Sequence, residues 1–240
     1  MSPPSTPDRR TTVNTLAVQL AESTLTPPPG SPYTIGQAQS HISSGRLGSR
    51  ITWTRASPLA LLEESTETYD VAVLAHCVWY FSSPDVIAQT LRLLTTRAKK
   101  ICIAEWGLSA SSPGAYVHVL AVLAEAALEC RKPTSVSNVR TVVSPAQIKE
   151  LAAGAGLALD SEGFITPGEG VHDGGWEVVA VVDKGFEDQI NQYVKDERER
   201  SVVLALRDAT ATGYAQLSGR KAVLPMDVWA GVFSVASATS

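Results

Sequence analysis

The stretch that most constrains how this chain can fold runs from Tyr69 to Trp106, where strand, turn, helix and strand follow one another. Val71-Ala72-Val73-Leu74-Ala75 is a short unbroken apolar run of the kind that forms a parallel strand covered on both faces, although periodicity alone leaves a buried helix open. His76-Cys77-Val78-Trp79-Tyr80-Phe81 then places titratable and aromatic groups where that strand ends. Ser83 as N-cap, Pro84 at the first helical position and Asp85 in the first turn start a helix, with Ile87, Leu91 and Leu94 on one face. Lys99-Lys100 closes it ahead of a second apolar strand, Ile101-Cys102-Ile103-Ala104, ending in Glu105-Trp106. Two strands joined this way make a right-handed βαβ unit, and ligands of open α/β sheets bind beyond the carboxyl ends of the strands. The pattern therefore predicts His76 to Tyr80 and Glu105-Trp106 on one rim.

With 240 residues, 44% of them hydrophobic, the chain can bury a full core. A net charge of −4 gives no basic footprint, so no nucleic-acid partner is expected. Three cysteines without metal-ligand spacing suit buried thiols in a reducing compartment. No apolar run reaches the roughly 18 to 20 residues of a membrane span; Tyr116 to Leu128 is interrupted by His118 and Glu125. The start, Met1-Ser2-Pro3-Pro4, lacks the apolar core of a secretory signal. These features predict a soluble, cytoplasmic protein with no membrane partner.

Along the chain, residues 1–10 read as disordered, Thr12 to Glu22 as a short helix and Thr26 to Pro32 as an extended proline loop. Ile35 to Ser43 reads as a helix, Ile51 to Thr54 as an alternating strand and Leu59 to Glu63 as a helix. Ser112-Pro113 opens a long helix to about Cys130, apolar nearly all round and so buried. Ser144-Pro145 opens another that stops at Gly154 and Gly156. Leu157 to Leu159 and Trp176 to Val182 read as a strand pair around the glycine-rich loop Thr166 to Gly175. Phe186 to Leu217 is helical in pattern, with a solvated mixed-charge run from Lys195 to Arg200. The division expected is an N-terminal segment 1–32, an α/β domain 33–184 and a C-terminal helical extension 185–240.

From about Tyr33 to Val182 this order resembles a class I S-adenosylmethionine-dependent methyltransferase of the fungal small-molecule type. The residues that carry the resemblance are Tyr69 to Phe81, Ile101 to Trp106, and Ser144-Pro145-Ala146-Gln147-Ile148-Lys149-Glu150-Leu151 leading into Ala155-Gly156-Leu157. Thr34 to Gln39 and Met226-Asp227-Val228-Trp229 are also similar to segments of such proteins. The resemblance implies a Rossmann-like three-layer sandwich, mainly parallel with an antiparallel terminal strand pair, incomplete at its N-terminus. It implies S-adenosylmethionine as cofactor and a small-molecule substrate, with Ala56, Ser57, His76, Cys77, Trp79 and Tyr80 around the cofactor and His76 and Glu105 as catalytic candidates. Aromatic faces suit a sulfonium because of their negative quadrupole, which singles out Trp79 and Tyr80. The family's glycine-rich turn after the first strand has no counterpart in residues 1–32, whose single glycine is Gly30 in the proline loop, and Thr24-Leu25-Thr26-Pro27 holds no ribose-binding acid. A catalytically inactive binding or scaffold protein is therefore the alternative. Without that turn, the N-terminal helix, a second copy or a partner chain is expected to cover the sheet beside Val71 to Leu74.

The same residues have plainer readings. His76 also fits a hydrogen-bonded histidine at a strand end, Glu105 a structural pair, and Trp79 and Tyr80 ordinary core aromatics. Cys77 suits a small buried hydrophobe better than a nucleophile. His118 fits a satisfied core side chain, and His172-Asp173 a solvated turn or part of a lid.

Overall fold

The computed structural model describes residues 15–18, 34–135, 137–168, 170–219 and 222–236. Among the described residues, five strands form one sheet: β1 (Thr15–Val18), β2 (Tyr69–Ala75), β3 (Ala98–Trp106), β4 (Leu157–Ile165) and β5 (Val228–Val235), in the order β1-β2-β3-β5-β4. β1, β2 and β3 are parallel, whereas β5 pairs antiparallel with both β3 and β4. The helices are α1 (Ile35–Ser44), α2 (Pro58–Glu64), α3 (Pro84–Thr95), α4 (Pro113–Glu129), α5 (Pro145–Gly154), α6 (Asp173–Val182), α7 (Lys184–Tyr193) and α8 (Glu197–Ala215).

Local chemistry sets several of these starts. Ser83, Ser112 and Ser144 each accept a bond from a first-turn amide, each is followed by proline, and Gln147 returns a bond to Ser144 to complete a capping box. Asp196 accepts from Arg198 and Glu199 N–H, which breaks the predicted run from Phe186 to Leu217 into α7 and α8. α4 is buried on both sides, as its composition implies. Val119 and Val122 join the core beneath the sheet, while Val117, Ala121, Ala124 and Leu128 pack with Val178, Val181, Phe186 and Val203 of α6, α7 and α8.

Four expectations are corrected. Trp176 to Val182 is helix, not strand: Gly174, Val178 and Val181 recur at helical spacing and are buried, facing α4. The strand paired with β4 is β5, from the far end of the chain, which also lies against β3. Ile51 to Thr54 forms no strand; it follows a 3₁₀ turn at Gly48–Arg50, and no ladder partner reaches it among the described residues. Within Thr12 to Glu22, Thr15–Val18 is strand rather than helix and pairs in register with Val71 to Leu74, so the edge of β2 is covered by a strand of the same chain. The expectations for residues 1–10 and Thr26 to Pro32 fall outside the described residues.

Candidate active site

β2 and β3 end side by side, and the turn after β2 is tied to β3 by one carboxylate. Glu105, 2% exposed, accepts from Val78 N–H (2.9 Å) and Trp79 N–H (3.4 Å) at Oε2 and from Trp106 N–H (3.0 Å) at Oε1. Its Oε1 also lies 3.6 Å from Nδ1 of His76, whose own N–H donates to Ala104 O. An anion in this position is stabilised by several charge-assisted bonds and fixes the short turn Val78–Tyr80. Both chain exits adopt the left-handed region, His76 at φ 47° and Leu108 at φ 50°. Backbone strain of this kind costs on the order of 1 to 3 kcal/mol and collects at functional rims.

The sequence-predicted residues separate here. His76 and Glu105 are brought together, and the His76 ring lies 4.5 Å, centroid to centroid, from that of Trp106. Cys77 is fully buried, and burial with the nearby Glu105 charge pushes its thiol up to about 12, so it remains protonated. Trp79 is a core side chain: it is 2% exposed and its indole N–H donates to Val143 O at 3.0 Å. Trp79 and Glu105 are thus both hydrogen-bonded core groups, and the expectation that Trp79 faces the cofactor is corrected. Tyr80 is half-buried, and its hydroxyl is pushed up to about 12 by burial and then by the carboxylates of Glu105, Asp173 and Glu177. Ala56 and Ser57 are exposed at the start of α2, which packs on α3.

Other groups belong to this rim. The Trp106 ring meets His118 edge-on at 5.1 Å. His118 is fully buried; Nδ1 accepts from Met226 N–H (2.9 Å), so the neutral ring carries its proton on Nε2, 2.5 Å from Glu177 Oε2. Burial lowers His118 to about 4 and raises Glu177 to about 8, the latter helped by Asp173 and Glu105 and opposed by His76. Gly174 allows this contact between α4 and α6, since a Cβ there would lie 2.9 Å from Leu224 O and 3.0 Å from His118 Cγ. Asp227 gathers the loops: its carboxylate accepts from Ser111 and Thr166 hydroxyls, and its carbonyl from Gly107 N–H. Phe164 and Ile165 at the end of β4, with Trp176 on α6, leave apolar surface exposed beside these groups.

Sequence reasoning read His118 correctly as a satisfied core side chain but gave no sign of Glu177, which sits in a segment read as strand. One signal was available. Met226-Asp227-Val228-Trp229 resembled the family, and Met226 and Asp227 hold His118 and the rim loops. Two open depressions of about 660 and 390 Å³ lie elsewhere, around the end of α4 and the loop after it, and neither is lined by His76 or Glu105.

The groups available at the rim suit the sulfonium end of S-adenosylmethionine. Tyr80 offers a half-buried aromatic ring, Trp106 a buried one behind His76, Asp173 and Glu177 carboxyl groups, and His76 an exposed imidazole. Glu105 is not free to bind ribose, because both of its oxygens accept backbone N–H groups.

No family profile matches the chain. It is 27% identical over 243 residues to Methyltransferase phomM' and, equally, to Methyltransferase phomM of Diaporthe leptostromiformis, covering 86% of this chain. The chain spans 62% of the length of those relatives. Among solved structures, the cyclopropane-fatty-acyl-phospholipid synthase-like protein from Lactobacillus casei ATCC 334 superposes with a TM-score of 0.66 at 21% identity, over 85% of this chain and 70% of that one. Parallel strands with an antiparallel end and helical layers define a Rossmann-like methyltransferase fold. Within that fold, the chain is similar in sequence to curated methyltransferases.

Proposed function

We propose that this protein uses S-adenosylmethionine to methylate a small molecule, acting in the cytoplasm. The observation that carries this reading is the joining of His76, Trp106, His118 and Glu177 beyond the carboxyl ends of β2 and β3, in a chain related to curated methyltransferases. Its three cysteines, Cys77, Cys102 and Cys130, are free thiols, which suits a reducing compartment.

When bound, the cofactor supplies an electrophilic methyl group for a single displacement. His76, Tyr80 and Trp106 would hold the sulfonium end, with Ser57 and Ala56 toward the base. Glu177 then takes the acceptor's proton. His118 Nε2–H holds Oε2, which leaves Oε1 for the acceptor, and a carboxyl raised to about 8 exchanges protons near neutral pH. Glu105 acts as a positioning residue by fixing Val78–Tyr80. Exclusion of water and alignment of the acceptor supply the rest of the acceleration.

One observation favours a second reading, a methyltransferase-like binding protein without catalysis: the Glu105 carboxylate serves backbone amides rather than a ligand. Calorimetric titration with S-adenosylmethionine and with its demethylated product separates the two. Saturable heat for both supports the enzyme, and silence at high-micromolar ligand eliminates it.

A further inference from the structure

We propose that residues 34–55 form a docking arm for an anionic lipid surface. Within it, the described helix and turn pack mainly on each other: α1 buries no residue, and its principal neighbour is the turn at Gly48–Arg50. The shape is nevertheless fixed by short-range bonds. Thr34 and Gln37 form a capping box, Trp53 Nε1–H donates to Ser43 Oγ at 2.8 Å, and Gly48 sits where a Cβ would collide with Ser43 backbone.

The side chains this arm presents are of two kinds. Ile35, Ala38 and Ile42 recur at helical spacing on one face of α1. Ile42, Leu47 and Trp53 are 44%, 51% and 42% exposed. Arg46, Arg50 and Arg55 are exposed too, and no Asp or Glu occurs between Glu22 and Glu63. The arm thus carries +3 in a chain of net −4, leaving −7 on the rest. No ion pair neutralises these arginines among the described residues.

A ten-residue helix that buries no residue against the described chain is marginal in water, so a surface would stabilise α1. Arginines interleaved with a tryptophan and large aliphatic groups match a bilayer interface, where guanidinium groups meet anionic headgroups and the apolar groups enter the acyl boundary. Two copies of the arm would bring like charges together, which disfavours a self-paired interface. A single aromatic with aliphatic neighbours is poorer for stacking on nucleic acid bases than for lipid. The expectation of no membrane partner rested on the lack of a spanning run, which a surface helix does not require.

The test is sedimentation of the full chain with vesicles of phosphatidylcholine alone and of phosphatidylcholine mixed with phosphatidylserine. Binding only to the mixed vesicles, weakened by salt and accompanied by a gain in helical circular dichroism, is the expected result. Replacing Arg46, Arg50 and Arg55 together by serine should lower the partition coefficient on the order of 100-fold. Trp53→Ala should lower it roughly tenfold. These side chains are exposed, so the near-ultraviolet spectrum of the arginine variant should match the parent, and both variants should keep the parent's urea-unfolding midpoint, which reports intact folding. No binding to either vesicle, equal binding to both, unchanged binding by the triple variant, or capture of an oligonucleotide in preference to the mixed vesicles would each overturn the proposal.

Discussion

At the rim, bonds join residues far apart in the chain: Glu105 Oε2 holds the amide of Val78, 27 positions away, and His118 holds that of Met226, 108 positions away. In the arm, the capping bonds of α1 span three positions and the Trp53–Ser43 bond spans ten. Both regions carry polar and aromatic groups. Only the rim buries some of them, Glu105 and His118 above all, so only there does losing one partner strand another. The arm can be altered cheaply because solvent already surrounds it.

The largest effect expected from breaking this contrast is at Glu105. Glu105→Ala removes a buried acceptor from Val78, Trp79 and Trp106 amides, and urea unfolding should show a loss of about 3 to 5 kcal/mol. Gly174→Ala should cost about 2 kcal/mol by overpacking against His118 and Leu224 O. It should also disturb the His118–Glu177 contact, visible as a shifted imidazole resonance.

The pH response sharpens the comparison. Glu177 binds its proton more tightly folded than unfolded, so its contribution is present below its ordinary carboxylate range and disappears as pH rises toward about 8. His118 has the opposite linkage, with stability lost as pH falls from about 6.5 toward about 4. Between roughly pH 4.5 and 6.5 the two slopes oppose each other, and above that Glu177 acts alone. Stability should therefore fall by about 2 kcal/mol from pH 6.5 to 8, and Glu177→Gln should flatten that segment in denaturant titrations. An unchanged slope in the variant would place the titration elsewhere.

The smallest effects belong to the arm. Thr34→Ala should speed amide exchange in α1 severalfold yet change global stability by less than about 0.5 kcal/mol. A global loss comparable to that of Gly174→Ala would show that the arm is packed and end the contrast.

The sequence was most legible where short-range signals decide structure. Serine-proline starts, the capping box at Ser144 and Gln147, and the apolar runs of β2 and β3 are local, and each formed the element it announced. Trp176 to Val182 misled because a short, mostly apolar run interrupted only by Glu177 suits strand or helix equally, and α4 decided in favour of helix. Thr15–Val18 read as helix because its ladder partner, β2, lies more than fifty residues away. The site followed the same division. His76 and Glu105 could be found because they end adjacent strands of one βαβ unit, whereas Glu177 depended on the packing of α6 against α4.

By itself, the amino-acid order determined the βαβ unit, its aromatic and titratable rim, and the starts of the long helices. Those features depend on neighbours within a few positions, whose preferences for dihedral angle and hydrogen bonding add up locally. Tertiary structure alone decided that β5 would enter the sheet between β3 and β4, and that Glu105 would serve backbone rather than ligand. It alone brought His118 and Glu177 together in a short, partly buried contact, because burial, not spacing, sets where a charge settles and which proton it keeps.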